Sequence, residues 1–126
     1  MKTALVVDDS PYNRAVLSSI LRKKNLKVEI AEDGEKAIEL FKKSNPDVVF
    51  LDYVMPKMNG VETLRELRKL KPSVIAVMVT SISASEDVEE ARTAGANGYV
   101  LKPYSAEKIY SILLKFNLIE EAERAS

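Results

Sequence analysis

Short apolar runs separated by longer amphipathic stretches limit the fold of this chain more than any other feature of its sequence. Ala4-Leu5-Val6-Val7, Val48-Val49-Phe50-Leu51 and Val74-Ile75-Ala76-Val77-Met78-Val79 read as strands covered on both faces, since a half-exposed strand would alternate apolar with polar. Tyr99-Val100-Leu101 is a shorter run of the same kind. Val28-Glu29-Ile30 does alternate, as an edge strand would.

The intervening segments carry helical spacing and helical punctuation. Ser10-Pro11 offers an N-cap and a proline at the first helical position, followed by Val16, Leu17, Ile20 and Leu21 on one face. Ala37, Ile38 and Phe41 mark a second helix after the Asp33-Gly34 turn, and Val61, Leu64 and Leu67 mark a third after Gly60. Ser83 and Glu86 have capping-box spacing ahead of a fourth helix, which Gly95 should terminate. Ile109, Ile112, Leu113 and Phe116 form an i, i+3, i+4, i+7 stripe on a fifth helix starting near Ser105. Alternating strands and helices predict an α/β fold, a doubly wound five-stranded parallel sheet with five helices on its two faces. No repeat or linker divides the 126 residues, so one domain is expected.

Composition narrows the chemistry. The chain contains no His and no Cys, which removes imidazole and thiolate ligands, a histidine base and a thiol nucleophile together. Carboxylates, hydroxyls, Lys and Arg remain, so a bound metal should be a hard, oxygen-loving ion such as Mg²⁺. Nineteen basic residues balance nineteen acidic ones, giving no overall attraction to nucleic acid or anionic membrane. The longest early apolar run, Ala4 to Val7, is too short for a signal peptide or a membrane span, and a cytoplasmic protein is expected.

In doubly wound sheets, ligands bind beyond the carboxyl ends of the strands. The first strand ends in Asp8-Asp9, the third in Asp52, the fourth in Thr80-Ser81 and the fifth in Lys102-Pro103. Each alone has an ordinary explanation in turn chemistry or backbone hydrogen bonding. Together they deliver three carboxylates, a hydroxyl and an ammonium to one edge. Clustered carboxylates repel unless a cation joins them, and Mg²⁺ would resolve that conflict while accepting phosphate oxygens. A carboxylate can also serve as the nucleophile of phosphoryl transfer, which needs positioning and charge neutralisation more than a general base.

Val6-Val7-Asp8-Asp9-Ser10, Asp52-Tyr53-Val54-Met55-Pro56-Lys57-Met58-Asn59-Gly60, Thr80-Ser81 and Lys102-Pro103 resemble, in order and spacing, the receiver domain of two-component response regulators. The resemblance implies the flavodoxin-like receiver fold with strand order 2-1-3-4-5 over residues 1–119, with 120–126 as a C-terminal tail. It implies that Asp52 accepts a phosphoryl group from the phosphohistidine of a histidine kinase or a histidine phosphotransfer protein. By the same resemblance, Asp9 and Asp52 contact Mg²⁺ directly, with the Val54 backbone carbonyl as a third ligand and Asp8 acting mainly through water. Thr80 and Lys102 would bind the phosphoryl oxygens. Tyr99 stands where the family carries a switch aromatic. Phosphorylation would draw the Thr80 hydroxyl inward, free space for Tyr99 and remodel the surface of the fourth helix, fifth strand and fifth helix, where a downstream protein would dock.

Val54 and Ile82 occupy positions where many relatives carry polar or charged side chains, flanking the water path to the phosphoryl group. Two apolar side chains there should lengthen the phosphorylated lifetime. Tyr104, just beyond Lys102-Pro103, should pack onto the start of the fifth helix. The expected activity is that of a switch rather than an enzyme, with no direct DNA binding and no membrane contact. Its output stays open among a chemotaxis-type messenger, a phosphorelay intermediate and a receiver cut from a larger regulator. A Mg²⁺-dependent aspartyl-phosphate phosphohydrolase is the alternative from another class. Such enzymes carry a second Asp two residues after the first, where this chain has Val54. A nucleotide- or flavin-binding module is disfavoured because no glycine-rich phosphate loop follows the first strand.

Overall fold

Residues 1–120 are described by a computed structural model, and the tail 121–126 lies outside the described residues. Ten elements alternate along the chain: β1 (Thr3–Val7), α1 (Pro11–Lys23), β2 (Lys27–Ala31), α2 (Gly34–Ser44) and β3 (Val48–Leu51), then α3 (Gly60–Leu70), β4 (Ile75–Thr80), α4 (Ser85–Thr93), β5 (Gly98–Leu101) and α5 (Ala106–Lys115). All strand pairings are parallel and the order is β2-β1-β3-β4-β5. The doubly wound sheet expected from the sequence is what forms.

Successive residues of a strand face opposite sides of a sheet, so each central strand supplies two cores. Ala4, Val6, Val48, Phe50, Val77, Val79 and Val100 join Leu17 and Leu21 of α1 and Ile109 and Leu113 of α5. Leu5, Val7, Val49, Leu51, Ala76 and Met78 join Phe41 of α2, Leu64 and Leu67 of α3 and Ala91 of α4. Covering both faces explains why these strands are continuously apolar. Leu118 and Ile119, beyond α5, are buried in the first of these cores.

Helix starts follow the expected chemistry at three sites. The side chains of Ser10, Asp33 and Ser105 accept from the backbone N–H groups of Asn13, Lys36 and Lys108. At α4 the expectation fails. Its N-cap is Ala84, without a side-chain cap, so Ser83 and Glu86 do not form a capping box. Glu86 and Asp87 instead lie in the first turn, where negative charge complements the helix dipole. A reciprocal box does form at α3, between Asn59 and Glu62. Gly95 follows α4 with φ +105°, a conformation that side chains resist, and ends the helix as expected. No helix among the described residues is long and apolar enough to cross a membrane.

Candidate functional site

The strand order reverses on either side of β1 and β3, and there the parallel strands aim their carboxyl ends into one crevice. Backbone pairing continues one residue past each strand and holds the loops in place. Asp52 N–H donates to Val7 at 2.9 Å, Asp8 N–H to Ala31 at 3.1 Å and Lys102 N–H to Thr80 at 2.9 Å. Asp8, Asp9 and Asp52 converge there, each offering a carboxylate oxygen within 4.8 Å of the others. Asp8 is buried, Asp52 half-buried and Asp9 exposed.

Lys102 closes the cluster from β5. Its Nζ lies 2.8 Å from Asp8 Oδ2 and 3.0 Å from Asp52 Oδ2. Burial pushes the ammonium's pKa down, but the hydrogen bonds and charges of Asp8 and Asp52 outweigh it, and the net value stands above that of ordinary lysine. Asp8 is further fixed by the Ser10 N–H, which donates to its Oδ1 at 2.9 Å, and by Arg14, which donates to its main-chain carbonyl at 2.8 Å. One ammonium against three carboxylates leaves two negative charges in a half-buried pocket. At an effective dielectric constant near 20, each close pair of like charges repels by about 3 kcal/mol. A divalent cation with oxygen preference suits the donor set and offsets the residual charge.

The remaining predicted residues surround this centre. Thr80 is buried at the end of β4, and its Oγ1 accepts the Ile82 N–H at 3.3 Å. Tyr99 is half-buried and stands inward, its hydroxyl donating to the Ile82 carbonyl at 2.7 Å. Burial, then the charges of Asp87 and Asp52, raise its pKa above the ordinary tyrosine value. Val54, two residues beyond Asp52, is 58% exposed, and Ile82, two beyond Thr80, is half-buried. Tyr104 is half-buried against the core beneath α1 and α5. With Tyr12, Asn13, Val16, Ser81 and Pro103 it lines an open cleft of about 460 Å³ that reaches Lys102. The Lys102-Pro103 peptide is cis.

Two contributions to the site are not evident from spacing alone. Gly60 packs so closely beneath the pocket that a Cβ there would collide with the Asp52 carbonyl oxygen, and its N–H donates to Tyr53 at 2.8 Å. The glycine in the Asp52–Gly60 run is thus required by close approach to the acidic residue's own backbone. Tyr53 sends its hydroxyl to α4, donating to Glu90 Oε1 at 2.9 Å with Asp87 Oδ1 at 3.4 Å. Burial and the two neighbouring carboxylates raise its pKa, keeping the hydroxyl a donor. Neither carboxylate is near Tyr53 in sequence, and only the packing of α4 reveals the contact.

Fold and site together define a doubly wound α/β domain with an acidic, lysine-flanked centre at its topological switch point. A family model for the response regulator receiver domain matches residues 4–114, and the chain belongs to that family, whose members are two-component signalling modules rather than metabolic enzymes. It is 36% identical to the chemotaxis protein CheY of Halobacterium salinarum over 108 residues, which cover 86% of this chain and 90% of that protein. Among solved structures it resembles the chemotaxis protein CheY4 of Vibrio cholerae, with a TM-score of 0.87 at 30% identity, covering 92% of this chain and 98% of the other. It also resembles the response regulator TrrA of Thermotoga maritima, solved in complex with Mg²⁺-BeF. The TM-score there is 0.84 at 33% identity, over 92% of this chain and 99% of the other.

Proposed function

We propose that this receiver accepts a phosphoryl group on Asp52 from a phosphohistidine, in a Mg²⁺-dependent reaction, and signals through the α4–β5–α5 surface. The observation that carries this reading is the meeting of Asp8, Asp9, Asp52 and Lys102 at one sheet edge. A histidine kinase or a histidine phosphotransfer protein supplies the donor. Its approach is through the open cleft beside Lys102, whose walls carry Tyr12 and Tyr104.

In this reading Asp9, Asp52 and the Val54 main-chain carbonyl would hold the ion, with Asp8 contributing mainly through water. Bound Mg²⁺ supplies the positive charge that lets an anionic phosphoryl group enter a carboxylate cluster. A carboxylate oxygen of Asp52 attacks phosphorus while the phosphorus–nitrogen bond of the donor breaks, and the imidazole nitrogen keeps that electron pair. Lys102 exchanges its bond to Asp52 for one to a phosphoryl oxygen, and the Thr80 hydroxyl donates to another. Thr80 then leaves the Ile82 N–H, consolidating the inward placement that Tyr99 already has beside it. Phosphorylation shifts the population only because it interacts differently with the two arrangements. Residues 1–119 form the switch unit in this reading, which the burial of Leu118 and Ile119 supports.

The direct test is incubation with acetyl phosphate and Mg²⁺, followed by intact mass. Wild type should gain one phosphoryl group and Asp52→Asn none. An unmodified wild type, or an equally modified Asp52→Asn, would refute the assignment. The exposed Val54 and half-buried Ile82 are proposed to hinder water. Val54→Asn and Ile82→Glu should therefore each shorten the phosphorylated lifetime several-fold, and an unchanged or longer lifetime would count against that role.

A further inference from the structure

Helix α4 is the most thinly anchored helix around the site. It spans nine residues, its sequence is largely polar, and Ala91 is its one fully buried residue. Its N-cap, Ala84, supplies no side-chain hydrogen bond. Against this background a single hydroxyl from the loop beneath it matters. Tyr53 follows Asp52 directly. Its ring packs against the same apolar cluster as Tyr99, and its main-chain carbonyl is held by the Gly60 N–H. Its hydroxyl bonds Glu90 at 2.9 Å and approaches Asp87 at 3.4 Å, both on α4. The backbone of the phosphoacceptor and the first two turns of α4 are therefore joined through one rigid side chain.

We infer that Tyr53 is a positioning residue that couples the phosphoacceptor loop to the placement of α4, as a second linkage beside the Thr80–Tyr99 pair. The inference rests on the reading of Asp52 as phosphoacceptor. A rotation or shift of the Asp52 loop moves the Tyr53 ring, and the hydroxyl holds its acceptors only in one placement of α4. Tyr99 lies inward in that same placement, with its hydroxyl on Ile82. The tether thus accompanies the inward Tyr99, the placement that in the proposed reading a phosphoryl group on Asp52 consolidates by drawing Thr80 away from Ile82. Coupling is reciprocal in binding free energy, so a bond that holds α4 must also strengthen binding of a phosphoryl mimic at Asp52. Tyr99 reports on Ile82 and the end of β4, whereas Tyr53 reports on Asp87 and Glu90. The two linkages act on different parts of the same surface.

The test is calorimetric titration of the full chain with beryllofluoride in saturating Mg²⁺, with amide chemical shifts of Val88 and Ala91 followed by NMR. Tyr53→Phe keeps the ring and its packing but loses the donor. Glu90→Ala, at an exposed position, loses the main acceptor. Each should weaken beryllofluoride binding by about 3- to 10-fold, the differential worth of one charge-assisted hydrogen bond. The double variant should be no weaker than either single one, and Glu90→Gln, which keeps a neutral acceptor oxygen, should lose less affinity than Glu90→Ala. Unchanged affinity in either single variant, or losses that multiply in the double variant, would overturn the inference while leaving Asp52's role intact. A wild type that binds no beryllofluoride would overturn the phosphoacceptor reading and this inference with it.

Discussion

The two ends of the parallel sheet are built on opposite principles. At the amino ends of the strands, polar groups meet complementary partners. Thr3 and Asp47 exchange two hydrogen bonds at 2.8 Å, and Lys71 donates to the Pro46 carbonyl at 3.0 Å. Asn97 bridges to Ala76 through both its backbone N–H and its side-chain oxygen. Arg68, from the last turn of α3, gathers the carbonyls of Pro72, Val74 and Gly95 and the Asn97 side chain. At the carboxyl ends, three carboxylates face one ammonium, and Asp9 has no ion-pair partner among the described residues. One end is satisfied by the protein itself. The other keeps an excess of negative charge among the described residues, while the fold holds its shape around it.

The largest expected effect tests the satisfied end. Arg68→Ala leaves the part-buried carbonyls of Val74 and Gly95 without this donor and should cost about 1–3 kcal/mol of stability, read from the urea midpoint at unchanged m. Phosphoryl uptake per folded molecule should not change. A loss of uptake without a loss of stability would break the division between the two ends.

At the deficient end the ordering should reverse. Mg²⁺ at a hundred times its dissociation constant should stabilise wild type by about 2.7 kcal/mol, by mass action alone. Asp9→Asn removes one exposed, unpaired charge and should gain a few tenths to about 1 kcal/mol without the metal, then show a much smaller Mg²⁺ response. Equal Mg²⁺ stabilisation of the two proteins would remove Asp9 from the metal centre.

The smallest effect concerns Lys102, whose pKa in the folded chain is raised above the ordinary 10.5. A raised value means that its contribution is complete below about 10.5 and is lost as pH climbs through the folded pKa. Wild type should therefore lose stability in that alkaline window more steeply than Lys102→Met. Parallel pH profiles would show that Asp8 and Asp52 do not stabilise the ammonium.

Much of the site was legible before any coordinates. In a parallel sheet, every strand's last residue points to one edge, so identifying the strands also located Asp8, Asp9, Asp52, Thr80 and Lys102 together. Local punctuation was less dependable. Ser83 and Glu86 carry capping spacing, yet the N-cap of α4 falls one residue later on Ala84, while the box that does form joins Asn59, just before α3, to Glu62 in its first turn. Side-chain capping is worth about 1 kcal/mol, and the packing of a whole helix easily overrides it. Tyr53 and Arg68 were invisible in their roles, because each reaches a distant element, Glu90 37 residues on from Tyr53 and Asn97 29 residues on from Arg68, whose lateral position no local pattern encodes.

The amino-acid order alone determined which chemical groups end each strand, because an apolar run's length and period specify a buried strand, and its boundary names the next residue. Tertiary structure decided which of those groups touch: that Lys102 pairs Asp8 with Asp52, that Gly60 must clear the Asp52 carbonyl, and that Tyr53 reaches Glu90. Such contacts depend on how helices of similar stickiness settle against a common sheet, and that placement emerges from the sum of many weak packing interactions rather than from any one segment.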